Sequence, residues 1–222
     1  MMAHRYPGPS VASVLPNWPA PARRPAARRL GPLALLLAVA LAGPAAAQDR
    51  VEGDRYQNPR YGVQIEKPSR WHFITASTVM DVARKTAGMP PMSTDVDPVK
   101  AAGFAVIVSK VPVLGREVAP QVVLMVHDLA QAPGDVTQAC ERLRSGMNDP
   151  ETVTPTRAVR VDGRPASRLD FKGYVDGALV RATALCTFQD RRAFVVVGQA
   201  LAAEFDGEAG TFETILGSFR LR

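Results

Sequence analysis

Few side chains in this sequence have the type and spacing that chemistry needs. Its 222 residues hold three histidines and two cysteines. His4 lies in the N-terminal segment, so His72 and His127 remain for the body of the protein. His72 sits between Trp71 and Phe73, and His127 ends a valine-rich run just before Asp128. A carboxylate that orients a histidine makes a general base, and a serine supplied by the fold would complete a hydrolase. No G-x-S-x-G elbow accompanies the pair. A histidine at the solvent end of a strand is the plainer reading.

Metal chemistry has little to work with. There is no H-x-H, no H-E-x-x-H and no cysteine cluster. Met89 and Met92 flank two prolines and would offer two thioethers to a soft ion such as Cu(I). No third methionine or histidine stands near them, and a loop with two apolar side chains explains them equally. Asp95 and Asp97 lack the further oxygen ligands and the glycine of a calcium loop. No glycine motif cradles a phosphate. The sequence therefore implies no cofactor.

Cys140 and Cys186 are the remaining reactive pair. Val136, Ala139, Cys140, Leu143 and Met147 recur at helical spacing, which puts Cys140 on the apolar stripe of a helix. Ala182, Ala184, Cys186 and Phe188 alternate, which puts Cys186 on one face of a strand. A helix packed on that face lets the two sulfurs bond, whereas two buried free thiols are the alternative. The spacing is not that of a C-x-x-C redox pair.

The elements that would position these residues follow from periodicity. Tyr61 to Glu66 alternates as a strand, and Trp71 to Ile74 starts another. Thr78 with Asp81 resembles a capping box, and Val79, Val82, Ala83 and Thr86 give a helical stripe, so a helix is expected over about Ser77 to Ala87, ended by Gly88. Met89 to Ala102 reads as a loop. Phe104 to Val111 and Val122 to His127 read as buried strands joined through Pro112 to Pro120. A helix over about Val136 to Met147 stops at Asn148-Asp149-Pro150.

From Arg157 onward the pattern is a meander. Asp162-Gly163 and Asp176-Gly177 are two-residue hairpin signals, and Gln189 to Arg191 makes a third turn. Leu169 and Phe171 alternate with Arg168, Asp170 and Lys172, so this strand has one wet face and offers a contact surface. Phe205, Ala209, Phe212, Ile215 and Leu216 form the stripe of a closing helix, and Phe219 with Leu221 marks a last strand. Strand clusters with helices on their faces make an α+β domain with a mainly antiparallel sheet.

The N-terminus reads as a leader. Five arginines precede Gln48 and no acidic residue does. The 14-residue apolar run Leu30 to Gly43 suits a signal-peptide core and is short for a membrane span. Ala45-x-Ala47 is a signal-peptidase pattern, so residues 1–47 are expected to be removed near Ala47. Residues 48–55 then form a flexible lead-in, and 56–222 form one domain. The whole chain carries +6, but from Gln48 onward 22 basic residues face 21 acidic ones. The basic pI belongs mostly to the leader and gives no ground for nucleic-acid binding. Export to the bacterial periplasm or beyond places the cysteines where disulfides persist. No membrane span is expected after processing.

Tyr56 to Trp71, YQNPRYGVQIEKPSRW, resembles the opening of PsbP-like domains, a superfamily that includes the Ran-binding Mog-type proteins and bacterial exported branches. Phe212 to Arg220, FETILGSFR, looks like the terminal helix-to-strand of the same superfamily, and Gly163 to Ala166 opening a meander is similar. The resemblance implies an antiparallel sheet with helices on both faces, an α/β/α sandwich, and no catalytic residues. Known members act as binding or assembly components, including an extrinsic subunit of the oxygen-evolving complex. The expectation is an exported, non-catalytic binding or assembly module that contacts another envelope protein. Its contact candidates are Arg168, Asp170 and Lys172 and the 89–102 loop. A small-molecule or metal binder with a cleft beside that loop is the alternative, and a hydrolase using His127 and Asp128 ranks last. Oligomeric state is not legible.

Overall fold

The computed structural model describes residues 49–88, 96–112, 118–130, 135–145 and 148–222. The expected signal peptide, residues 1–47, lies outside the described residues, as do Met89 and Met92. Among the described residues no helix is long and apolar enough to cross a membrane.

The chain opens with β1 (Arg50–Glu52), β2 (Arg55–Asn58) and β3 (Val63–Glu66). The expected lead-in over 48–55 is therefore not free chain. Arg50 to Glu52 pairs antiparallel with Arg55 to Gln57 across a tight turn. Far along the sequence, β11 (Arg220–Leu221) returns to pair with β3 and completes a four-stranded sheet.

The second sheet has seven strands: β4 (His72–Thr75), β5 (Val106–Ser109), β6 (Gln121–Asp128), β7 (Asn148–Val161), β8 (Arg164–Val175), β9 (Ala178–Gln189) and β10 (Arg192–Leu201). Their order is β4-β5-β6-β10-β9-β8-β7, and every pair is antiparallel. The meander folds as its turn residues require. Asp162-Gly163 and Asp176-Gly177 take positive φ at both positions (48° and 76°, 50° and 82°), the twist that suits a two-residue hairpin.

The two faces of this sheet are covered differently. On one, Phe194, Val196, Gly198 and Ala200 of β10 face α4 (Phe205–Gly217). Phe212 of α4 lies so close over Gly198 that a Cβ there would stand 3.0 Å from its ring. Trp71 packs edge-on to Phe212 at 6.2 Å, and Phe194 meets Phe219 at 6.5 Å. Tyr56 of the small sheet donates to the carbonyl of Ala105 at 3.2 Å. These contacts fuse the small sheet, α4 and the large sheet into one core. On the opposite face α3 (Thr137–Ser145) lies against β7, β8 and β9. Ser167 donates to the carbonyl of Val136 at 2.9 Å, which helps seat that helix. The architecture is α+β and antiparallel, with a second sheet sharing one face with α4.

Three local expectations need correction. First, α1 (Ala76–Ala87) is capped by Thr75, whose hydroxyl accepts from the Thr78 amide at 3.1 Å. Thr78 thus receives no capping role, and Asp81 pairs with Arg84 instead. Val82, expected on the buried stripe, is 58 % exposed. Second, the end of the loop expected over Met89 to Ala102 is α2 (Pro98–Ala102), with Asp97 as its N-cap and Pro98 in its first turn. Third, β7 starts at Asn148, where the sequence pattern predicts only a helix stop. It carries Pro150 and Pro155 through three register shifts, which an edge strand tolerates because its outer N–H groups need no ladder partner.

Candidate functional site

The wet face of β8 is the expected contact surface, and α4 occupies part of it. Arg168 points to the α4 side of the sheet. Its guanidinium forks onto Glu213 of α4, with Nη1 donating to Oε2 at 2.6 Å and Nη2 to Oε1. Nη2 also donates to Thr183 of β9 at 3.0 Å. A bidentate arginine–carboxylate pair fixes orientation as well as charge. The pair, set against partial burial, holds the Arg168 guanidinium even more firmly protonated than usual. Only 16 % of the Arg168 side chain is exposed. Asp170 lies beside it, with Oδ1 at 4.0 Å from Arg168 Nε. Lys172 bonds Glu151 of β7 at 3.0 Å. Arg181 of β9 continues the row, bonding Asp206 at 2.7 Å and stacking on Phe205 at 4.6 Å. These side chains clamp α4 and the edge strand to the sheet. The open surface expected at Arg168 is therefore largely a packed polar seam, because the closing helix pairs its own acids with the strand's bases.

The uncovered remainder lies on β7. Arg157 stands directly opposite Arg168 in register and is exposed. Among the described residues no carboxylate pairs with Arg157, Arg160 or Arg164. Arg160 donates to the carbonyl of Gly163 at 2.6 Å.

His127 and Asp128 do not form a catalytic pair. They are neighbours on β6, so the pleat sends their side chains to opposite faces. Asp128 accepts from Lys100 of α2 at 2.6 Å and from Arg192 of β10 at 3.3 Å. The Lys100 bond holds the Asp128 carboxyl below its usual range, opposed by partial burial and reinforced by Arg192. Burial alone pushes the His127 imidazole below its ordinary value. Asp128 thus spends its oxygens on two cations and cannot orient His127.

The sequence reading missed the polar cluster beside Asp128. Tyr61 donates to Asp97 Oδ2 at 2.5 Å, and Arg60 reaches the same oxygen at 3.3 Å. Asp97 Oδ1 accepts from the amide of Val99 at 3.0 Å, which starts α2. The Tyr61 ring is flanked by the guanidinium groups of Arg60, 5.9 Å from its centroid, and Arg192, 5.3 Å away. Burial first, and then the bond to Asp97, push its phenol well above the usual range. The phenol stays protonated and acts as a donor, so the cluster is a latch that binds α2 to the β2–β3 turn and the sheet. The local signal for α2 was Asp97-Pro98 with Gly103 five residues on, an N-cap, first-turn proline and C-terminal glycine in sequence.

Cys140 and Cys186 are bonded, with Cα atoms 5.8 Å apart, and both are fully buried. The bridge ties α3 to the middle of the sheet. Among the described residues no group of three or more histidine, cysteine or acidic side chains is arranged to hold a metal ion.

A mainly antiparallel α+β domain with helices on its sheet defines the class of protein. No family model matches the sequence, and no curated protein does. Solved structures are similar in fold. The solution structure of cyanobacterial PsbP (CyanoP) from Synechocystis is 14 % identical, with a TM-score of 0.49 over 83 % of this chain and 99 % of that one. LpqN, described as involved in cell envelope biogenesis of Mycobacterium tuberculosis, is 14 % identical, with a TM-score of 0.47 over 72 % of this chain and 82 % of that one. PA94, a protein of unknown function and putative regulator from Pseudomonas aeruginosa, is 12 % identical, with a TM-score of 0.43 over 52 % of this chain and 81 % of that one. Scores at this level say nothing about activity or partners.

Proposed function

We infer that this protein is a non-catalytic, exported binding or assembly module of PsbP-like fold that acts through contacts with another protein of the cell envelope. The observation that carries the reading is how its ionisable side chains are spent. Arg168, Arg181 and Lys110 bond acids of α4, Asp97 caps a helix, and Asp128 bonds two cations. Groups locked into structural pairs are poor acids, bases and nucleophiles, whereas surfaces between them remain available for docking. The buried Cys140–Cys186 bridge supports export, since such bridges persist in oxidising compartments. The leader expected over residues 1–47 supports the same route. Fractionation followed by N-terminal sequencing tests the export half, and the expected mature start is near Gln48. In-cell photo-crosslinking from positions on β7, β8 and α2 tests the other half. A discrete adduct with one envelope protein is expected. Retention of the full-length chain in the cytosol, or no adduct from any position, would overturn the reading.

A further inference from the structure

We propose that the β7 edge from Arg157 to Val161 is the docking strand of this module, and that it receives an extended, acidic segment of the partner protein as an added strand. The proposal rests on the binding-module reading above and specifies its surface and partner chemistry.

β7 is the last strand of the seven-stranded sheet, so alternate peptide groups along its outer side have no strand partner among the described residues. Most of the strand is a poor template. Its first part carries Pro150 and Pro155, and its register against β8 shifts three times up to Arg157. From Arg157 to Val161 pairing is continuous with Arg168 to Arg164, which leaves five regular residues able to take another strand. Arg157, Ala158 and Arg160 are exposed there.

Charge selects what can bind. Arg157 projects to the α4 side of the sheet and Arg160 to the α3 side. Arg157 also faces Arg168 across the ladder, and like charges directly opposite one another destabilise a sheet. Arg168 is already forked onto Glu213, so that acid is engaged and Arg157 is left without a carboxylate among the described residues. An added strand with an acidic residue on each of its faces would supply carboxylates to Arg157 and Arg160 while its backbone pairs with the edge. A second copy of this chain would bring the same arginines to the same edge, so self-pairing is opposed by the charges that admit an acidic partner. A phosphate backbone fits less well. Asp162, Glu213 and Glu141 are fixed near this edge and would repel a continuous line of negative charge, with Asp162 bonded to Arg220 and to the Leu221 amide and Glu141 bonded to Thr156 and Arg144.

The test uses the purified processed protein and a short capped peptide of alternating glutamate and valine, with the lysine–valine peptide as its control. Binding is followed by NMR shifts and amide hydrogen exchange. The glutamate peptide should slow exchange within Arg157 to Val161, and the lysine peptide should not. The double substitution Arg157→Glu with Arg160→Glu should weaken the glutamate peptide at least about tenfold and admit the lysine peptide, because each new juxtaposition reverses sign. The same charge change made far away, Arg70→Glu with Lys85→Glu, should leave both results unaltered. Both pairs are exposed, and unchanged melting will show that the variants fold. Perturbations that map elsewhere, an affinity indifferent to Arg157 and Arg160, or no binding by the glutamate peptide overturn the proposal. So does stronger arginine-dependent binding of single-stranded DNA or phosphatidylglycerol vesicles. An envelope adduct crosslinked from another surface would leave the module reading standing while this edge falls.

Discussion

Tyr61 shows how much of the structure rests on a single hydroxyl. Its ring is buried, and its oxygen holds the carboxylate that caps α2. Tyr61→Phe keeps the ring and removes the donor, leaving buried Asp97 one partner short. Loss of a bond to a buried charged group should cost about 1–3 kcal/mol, read as a lower denaturant midpoint with an unchanged slope. His127 sets a pH limit. Its folded value lies below 6.5, so the unfolded chain binds the proton more readily. The stability linked to it is complete above about 6.5 and falls as pH drops from there toward the folded value. His127→Gln should flatten that part of the stability profile in chemical denaturation measured from neutral to mildly acidic pH. Asp128 has the opposite group type but the same sign, because its depressed folded value makes it lose stabilisation as pH falls below the carboxylate range. The two windows are separated along the pH axis, so the His127 variant isolates the upper one. Neither side chain was assigned this role by its sequence neighbours. Adjacency suggested a catalytic pair, but the pleat of β6 divides it.

Elements were legible where a short pattern dictates the backbone. The Asp-Gly dipeptides gave the hairpins, alternation gave β8 and β9, and a valine-rich apolar run gave β6. The helix around Cys140 followed from an apolar stripe, and Gly88 closed α1 as read. β1, β2, α2 and the first part of β7 escaped, the last two for physical reasons. α2 has five residues, too few for periodicity, and its signals lie in a cap, a proline and a glycine. The first part of β7 contains prolines that ordinarily argue against a strand, and only its edge position makes them acceptable. The bridge between α3 and β9 joins a helix to a strand across 46 residues of sequence. On the chain-entropy account it stabilises by about 4 kcal/mol, an upper figure when the unfolded chain is compact. Replacing both cysteines with alanine should lower stability by about 2–4 kcal/mol in denaturant titrations. Reduction under native conditions should be slow, because both sulfurs are buried. A native protein reduced at once by mild thiol would contradict that burial.

At the scale of the whole molecule, five of the six excess positive charges lie before Gln48, and the second sheet is invisible in the sequence. β3 and β11 lie at opposite ends of the described chain, and no local pattern announces that they pair. Their pairing closes the small sheet over the face that α4 shares, with Trp71, Phe205 and Phe212 meeting between the layers. Layers joined by one aromatic cluster should unfold together as a single cooperative unit. Trp71 is the only tryptophan after Gln48, so in a chain beginning there its fluorescence reports that junction. Its transition in urea should coincide with the far-UV circular dichroism of both sheets. Phe212→Ala should cost about 3–5 kcal/mol, since it empties the space above Gly198 and removes the edge contact with Trp71. It should shift both signals equally. Fluorescence changing at lower urea than the dichroism would mean that the small sheet and α4 release first, and that residues 56–222 behave as two units rather than one.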